Sequence, residues 1–135
     1  MTHATALAAY QTVETHAEVD SARPERLIQM LLDGALNRIY TAKGELMRGE
    51  IAAKGSQIGK AISIVDGLRM SLNPEAGAIS QNLEDLYDYI ARRLLEANLT
   101  NNADILDETA ALLHEIKSAW DVLVETAADN PGEAT

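Results

Sequence analysis

The 135-residue chain has no cysteine and no phenylalanine, one tryptophan, three prolines, and about half as many basic as acidic residues. Each shortage excludes something. Without cysteine there is no disulfide framework, no thiolate metal site and no Cys nucleophile. With 11 Lys and Arg against 21 Asp and Glu, and a formal net charge of -10, the chain lacks the basic face that a phosphate-backbone binder needs, so nucleic acid is not expected as a partner. No run approaches ~18 consecutive apolar residues, so membrane insertion is not expected. The run Ala6 to Tyr10 is too short for the hydrophobic region of a signal peptide, and no Lys or Arg precedes it. Acidic polar faces would also be repelled by anionic lipid. The expectation is a soluble protein of the cytoplasm, of a length that suits one domain.

What is present points to helices. Apolar residues make up 47% of the chain but aromatics only 4%, so the core must be built from Leu, Ile, Val, Met and Ala. Pro24 sits where a helix tolerates its first residue, followed by Glu25 against the positive helix end. A 3.6-residue periodicity then runs to about Arg48, with Ile28, Leu31, Leu32, Ala35, Ile39, Ala42 and Leu46 on one stripe. Gly49 ends it. A second helix is predicted from about Glu50 to Leu72, with Ile51, Ile58, Ala61, Ile62, Val65, Leu68 and Leu72 on one face. Asn73-Pro74 and Gly77 break the pattern.

The third helix is predicted from about Ile79 to Leu99, with Ile79, Leu83, Leu86, Tyr87, Ile90, Leu94 and Ala97 facing inward. Asn98, Asn101 and Asn102 mark its end, because Asn tolerates the left-handed turn and caps the next helix. The fourth runs from about Ala103 to Ala127 on Ile105, Leu112, Leu113, Ile116, Trp120 and Leu123. No segment alternates with the period of a strand. Long helices joined by short turns favour antiparallel neighbours. The expected fold is therefore all-α: an antiparallel up-down four-helix bundle over residues 23–128, a flexible N-terminal arm over residues 1–22 and a disordered tail over residues 129–135.

The sequence offers little catalytic chemistry. No Glu stands three residues before any His, as a di-iron bundle would require. His114-Glu115 is not followed by a second His at the zinc-protease spacing, and no glycine-rich phosphate loop is present. The carboxylates fall mostly on polar faces. No metal, no cofactor, no catalytic residue and no enzymatic activity are expected. One alternative stays open: His114-Glu115-Ile116-Lys117-Ser118 resembles the His-x-x-Lys-Gly core of histidine phosphotransfer bundles, with Ser118 in place of the glycine.

More informative is apolar surface beyond the core stripes. Leu36, Tyr40 and Met47 lie on a shoulder of the first helix, Ile64 falls off the stripe of the second, and Leu95, Leu99 and Tyr89 face away on the third. Taken singly, each is better explained as a shoulder completing the core. As a set they suggest grooves that a partner helix fills. The cluster Leu7 to Tyr10, on an arm that cannot fold alone, is a candidate occupant of such a groove or a staple onto the bundle.

A series of segments resembles the flagellin-specific flagellar secretion chaperones. These are Ala9-Tyr10-Gln11; Pro24 through Ala35; Gly49-Glu50-Ile51; Ile58 through Ala61; Gly67-Leu68-Arg69 with Ser71-Leu72; Leu86 through Tyr89 followed by Arg92 through Asn98; and Glu115-Ile116-Lys117 with Ala119-Trp120. The resemblance covers residues 9 to 123 in order. Arg23 stands where that family often has Ser, and the arm is longer and acid-rich. The resemblance implies a four-helix bundle with a mobile N-terminal cap that binds the disordered C-terminal segment of newly made flagellin. It also implies that the chaperone keeps flagellin monomeric in the cytoplasm and presents it to the type III export gate, with no cofactor. It ties Tyr10 to export or regulator contacts and leaves open a flagellar regulator, such as an anti-sigma factor, as a further partner. The wheel and the resemblance together place partner contacts at Leu7, Tyr10, Gln11, Leu36, Tyr40, Met47, Ile64, Leu95 and Leu99.

Overall fold

A computed structural model describes residues 24–129. Four α-helices follow one another: α1 (Pro24–Met47), α2 (Ile51–Met70), α3 (Ala78–Thr100) and α4 (Ala103–Asp129), with a single 3-10 turn (Pro74–Ala76) between α2 and α3. The expected all-α architecture holds, and each boundary falls within a few residues of the periodicity. Leu7, Tyr10 and Gln11 lie outside the described residues, as does the side chain of Leu123.

The connections explain the boundaries. Gly49 ends α1 at a positive φ of 77°, which only glycine adopts without a Cβ penalty. Asn101 takes the left-handed conformation (φ 52°, ψ 45°) at the end of α3. The side chain of Asn102 then accepts from Asp104 N at 2.9 Å, capping α4. Gly77, at φ 76° and ψ -136°, turns the chain from the 3-10 segment into α3.

Helix pairings give the topology. Arg38 meets Gln57 across α1 and α2, Lys54 meets Asn98 and Arg69 meets Asp88 across α2 and α3, and Lys43 meets Asp107 while Lys117 meets Asp33 across α4 and α1. Across α2–α3 and α1–α4 positions rise on one partner as they fall on the other, so these neighbours run antiparallel, and the short turn at residues 48–50 reverses α1 into α2. Each helix packs on its neighbours in sequence and α4 closes back on α1, with the α3–α4 seam the sparsest of the four. Ala35, Ala42, Ala61 and Ala97 are fully covered and let the backbones approach. Leu32, Ile39, Ile58, Leu68, Ile90, Leu94, Leu106 and Leu113 fill the space between them, with Tyr87 the largest buried side chain.

Three expectations need correction. Leu36, placed on a shoulder from the wheel, is 4% exposed and belongs to the core, between Asp33 and Lys43, which both pair with α4. Ile64 is half-buried and packs beside Gly34 of α1, against the core. Conversely, Ile51 and Ile79, assigned to core stripes, are exposed, since each lies in the first turn of its helix where no neighbour extends over it.

One buried cation ties the turn-end of the bundle together. Lys54 is 2% exposed, and its Nζ donates to the Asn98 carbonyl at 3.0 Å, to Asn98 Oδ1 at 2.7 Å and to Asn101 Oδ1 at 2.7 Å. An ammonium has three protons, and all three find acceptors. They lie at the C-terminus of α3, where the helix carries partial negative charge. Replacing Lys54 by Ala strands these acceptors and opens a cavity. We expect Lys54→Ala to lower the unfolding free energy by about 2–4 kcal/mol, measured by urea denaturation at neutral pH. A loss within ~0.5 kcal/mol would mean that water replaces the ammonium without cost.

Candidate docking groove

The α3–α4 seam is held at one end and open at the other. Near the Asn101-Asn102 turn, Tyr89 Oη donates to Glu108 Oε2 at 2.6 Å and Arg93 Nε donates to Glu108 Oε1 at 2.8 Å. Arg93 also pairs with Glu96. The Tyr89 hydroxyl, and after it the Arg93 guanidinium, hold the Glu108 carboxyl below its ordinary range; the same hydrogen bond raises the Tyr89 phenol. This polar clasp takes the outer α3–α4 surface out of apolar contact.

Away from the clasp, the helices leave an apolar groove of about 540 Å³ lined by Ile79, Asn82, Leu83 and Leu86 of α3 and Glu115, Ile116, Ala119 and Trp120 of α4. The α3 positions recur at i, i+3, i+4 and i+7, so they span two turns on one face. Ala119 supplies a low floor beside Trp120. A second cleft of about 180 Å³ continues over the end of the bundle, sharing Ile79, Leu83 and Trp120 and reaching Ile28, Leu68 and Leu72. Ile79 stands at the junction, 71% exposed. The first residue of α1, Pro24, lies at this same end, since α1 and α4 run antiparallel and Gln29 meets Asp121.

Sequence reasoning assigned five of these lining residues to the core: Ile116 is buried there and Leu83, Leu86 and Trp120 pack against it half-buried, so only Ile79 is misplaced, but their role as groove walls was not read. The signal that could have separated them is positional. They crowd at the end of α3 and α4 that no short turn closes. The residues expected as partner contacts fall elsewhere: Tyr40, Met47, Leu95 and Leu99 are exposed, with Leu99 75% accessible, and lie toward the opposite half of the bundle.

His114 lies on the exposed surface of α4, and its backbone carbonyl accepts from Ser118 Oγ at 2.9 Å. Lys117, the cation that a phosphorylated imidazole would need, is engaged by Asp121 at 2.8 Å and Asp33 at 3.5 Å. Among the described residues, no group of three or more His, Asp or Glu side chains could hold a metal ion. Among the same residues, no helix is long and apolar enough to cross a membrane.

The profile of the family described as flagellar protein FliS matches residues 6–127. The chain belongs to the FliS family. The resemblance read in the sequence is thereby borne out. FliSB of Pseudomonas aeruginosa is 48% identical over 117 residues, covering 86% of this chain and 93% of that protein. FliS of Salmonella typhimurium is 44% identical over 119 residues, covering 87% and 88%. FliS of Bacillus subtilis is 29% identical over 108 residues, covering 80% of each chain. All three relatives are named flagellar secretion chaperones. Within this FliS-family bundle, the clasp and the groove are two halves of one seam.

The clasp has a pH signature. A carboxylate held below its ordinary value stabilises the fold above its unfolded pKa, near 4.5 for Glu, and loses that contribution as pH falls through the folded value. The difference in urea midpoint between the wild type and Glu108→Gln should therefore be constant from pH 7 to 5 and shrink below about pH 4.5. A difference independent of pH across that range would show that Glu108 contributes nothing through its charge.

Proposed function

We propose that this chain is a flagellar secretion chaperone that binds the C-terminal segment of flagellin, prevents its premature polymerisation and delivers it to the flagellar export gate. The observation that carries this reading is the apolar groove, a two-turn trough on a chain of the FliS family. Its action is binding, not turnover. A segment that polymerises through amphipathic helices exposes an apolar stripe while it waits. Laying that stripe into a preformed trough removes it from water without nucleotide hydrolysis.

Ordering a disordered segment costs free energy, so a useful affinity needs more surface than two turns supply. The exposed apolar side chains beyond the groove meet that need. Tyr40, Met47, Leu95 and Leu99 would extend the contact as the client runs on around the bundle. The arm, residues 1–22, acts as a competing cap, with Leu7 and Tyr10 occupying part of the apolar surface until the client arrives and Gln11 flanking them. The setting is the cytoplasm. The export apparatus and a flagellar regulator such as an anti-sigma factor are the further partners.

The lone tryptophan makes the test direct, because Trp120 lines the groove. Titration of the full chain with the C-terminal segment of flagellin from the same genome should shift Trp120 fluorescence to a one-to-one end point, with helix gain and a negative heat-capacity change. No fluorescence change and no heat from a folded protein would sink the reading. Ile79→Glu places a charge in the trough at a site that packs against little of the core, so it should weaken binding at least about tenfold and leave thermal stability within a few degrees. Deleting residues 1–22 should raise the association rate if the arm is a competing cap; loss of binding would make the arm a contact instead.

A further inference from the structure

We propose that Glu115 selects the occupant of the α3–α4 groove by charge: the groove takes an amphipathic helix whose apolar stripe is bordered by a lysine or arginine. The proposal deepens the chaperone reading and rests on it.

The groove is nearly all apolar, and Glu115 is its single charged lining residue. Every cation of α3 and α4 is engaged elsewhere. Arg92 pairs with Asp88 at 2.9 Å, Arg93 with Glu108 and Glu96, and Lys117 with Asp121 and Asp33. Among the described residues, the Glu115 side chain makes no hydrogen bond and no ion pair, whereas Glu108 and Asp121 on the same helix are each held by a cation. Asn82 faces it from α3 and is likewise exposed without a side-chain hydrogen bond among the described residues. The rim of the trough thus presents a carboxylate and an amide, with no fixed cation to neutralise either.

Such a rim discriminates. A partner helix that buries its stripe on Leu83, Leu86, Ile116 and Trp120 brings its flanking positions over Glu115. A cation there gains an ion pair at the edge of a low-dielectric surface, while a carboxylate meets repulsion. The chain's own arm is a poor electrostatic match. Residues 1–23 carry Glu14, Glu18 and Asp20 against Arg23, and the chain as a whole carries -10. A cation-bordered client therefore displaces the arm with help from charge as well as from apolar area. The same carboxylate disfavours self-association through the groove, because a second copy brings a second acidic rim.

The probe is the C-terminal segment of flagellin from the same genome, titrated into the wild-type full chain and into Glu115→Gln and Glu115→Lys by Trp120 fluorescence at low and high salt. Glu115 is exposed, so both variants should fold, which circular dichroism checks. Exposed ion pairs are modest, so removing the charge should weaken binding about two- to fivefold, and reversing it about five- to twentyfold. The wild type should also lose more affinity with salt than Glu115→Gln does. Equal affinities and equal salt dependence in all three would overturn the charge selection and leave the chaperone reading standing. Tighter binding by Glu115→Lys would overturn it in favour of an acid-bordered partner or the arm. Failure of the segment to bind the wild type would overturn both readings.

Discussion

A helix carries one apolar stripe, and in a square bundle that stripe must serve two neighbours at once. Three seams of this bundle meet the demand. The fourth does so only near its turn. Asn101 and Asn102 bring α3 and α4 together in the tightest connection of the fold, and the Tyr89–Glu108–Arg93 clasp fastens the helices just beyond it. At the far end nothing covalent joins them. α3 there departs toward α2 through residues 71–77, and α4 runs past it. Ile79, Leu83, Leu86 and Trp120 consequently lack a complete fourth wall. The groove follows from where the turns are, not from a special sequence within it.

That origin explains what was legible beforehand. Helix boundaries were readable because each is set by a residue with a local physical preference: Pro24 at a first turn, Gly49 and Gly77 at positive φ, Asn101 in the left-handed region and Asn102 as a cap. Core membership was readable for residues near the middle of each stripe, such as Ala35, Ile58, Ala61, Ile90 and Leu94, which are buried whichever way a neighbour tilts. Residues at the margins were not. Leu36 and Tyr40 lie on the same flank of α1, yet one is buried and the other is exposed. A wheel records direction around one axis and is silent on how far the next helix extends. For the same reason Ile79 was read as core, and Trp120, which does pack on the core, was not read as a groove wall. The arm residues Leu7, Tyr10 and Gln11 stand apart, since the first two were read from an apolar cluster on the arm and Gln11 from resemblance, and all three lie outside the described residues.

Charge is distributed with the same economy. Among the described residues, the ion pairs that span two helices latch seams: Lys43 with Asp107 and Lys117 with Asp33 on α1–α4, Arg69 with Asp88 on α2–α3. Exposed pairs of this kind contribute little stability each. Their greater effect is to set register, because each spans two helices at one height. Lys54 is different in kind. Buried and coordinated by three oxygens at the end of α3, it must be satisfied in place or destabilise the turn-end of the bundle. The rigid end and the open end of the molecule are thus distinguished by where polar groups are buried.

Leaving apolar side chains uncovered does not destabilise the fold in proportion. Ile79 stays mostly in water in the native fold, as it is in the unfolded chain, so its exposure forgoes stabilisation without adding a penalty. What is forgone in folding stays available for association. About 25 cal/mol per Å² of apolar area is released only when a second surface excludes the water, and ordering a flexible partner offsets part of it. A preformed trough reduces the share that must go to arranging the chaperone itself, because the clasp and the buried core already hold α3 and α4 in place. The partner alone then bears the ordering cost. A bundle built this way binds a long flexible segment more readily than a short one, since each further turn of the segment adds buried area on a surface that is already fixed.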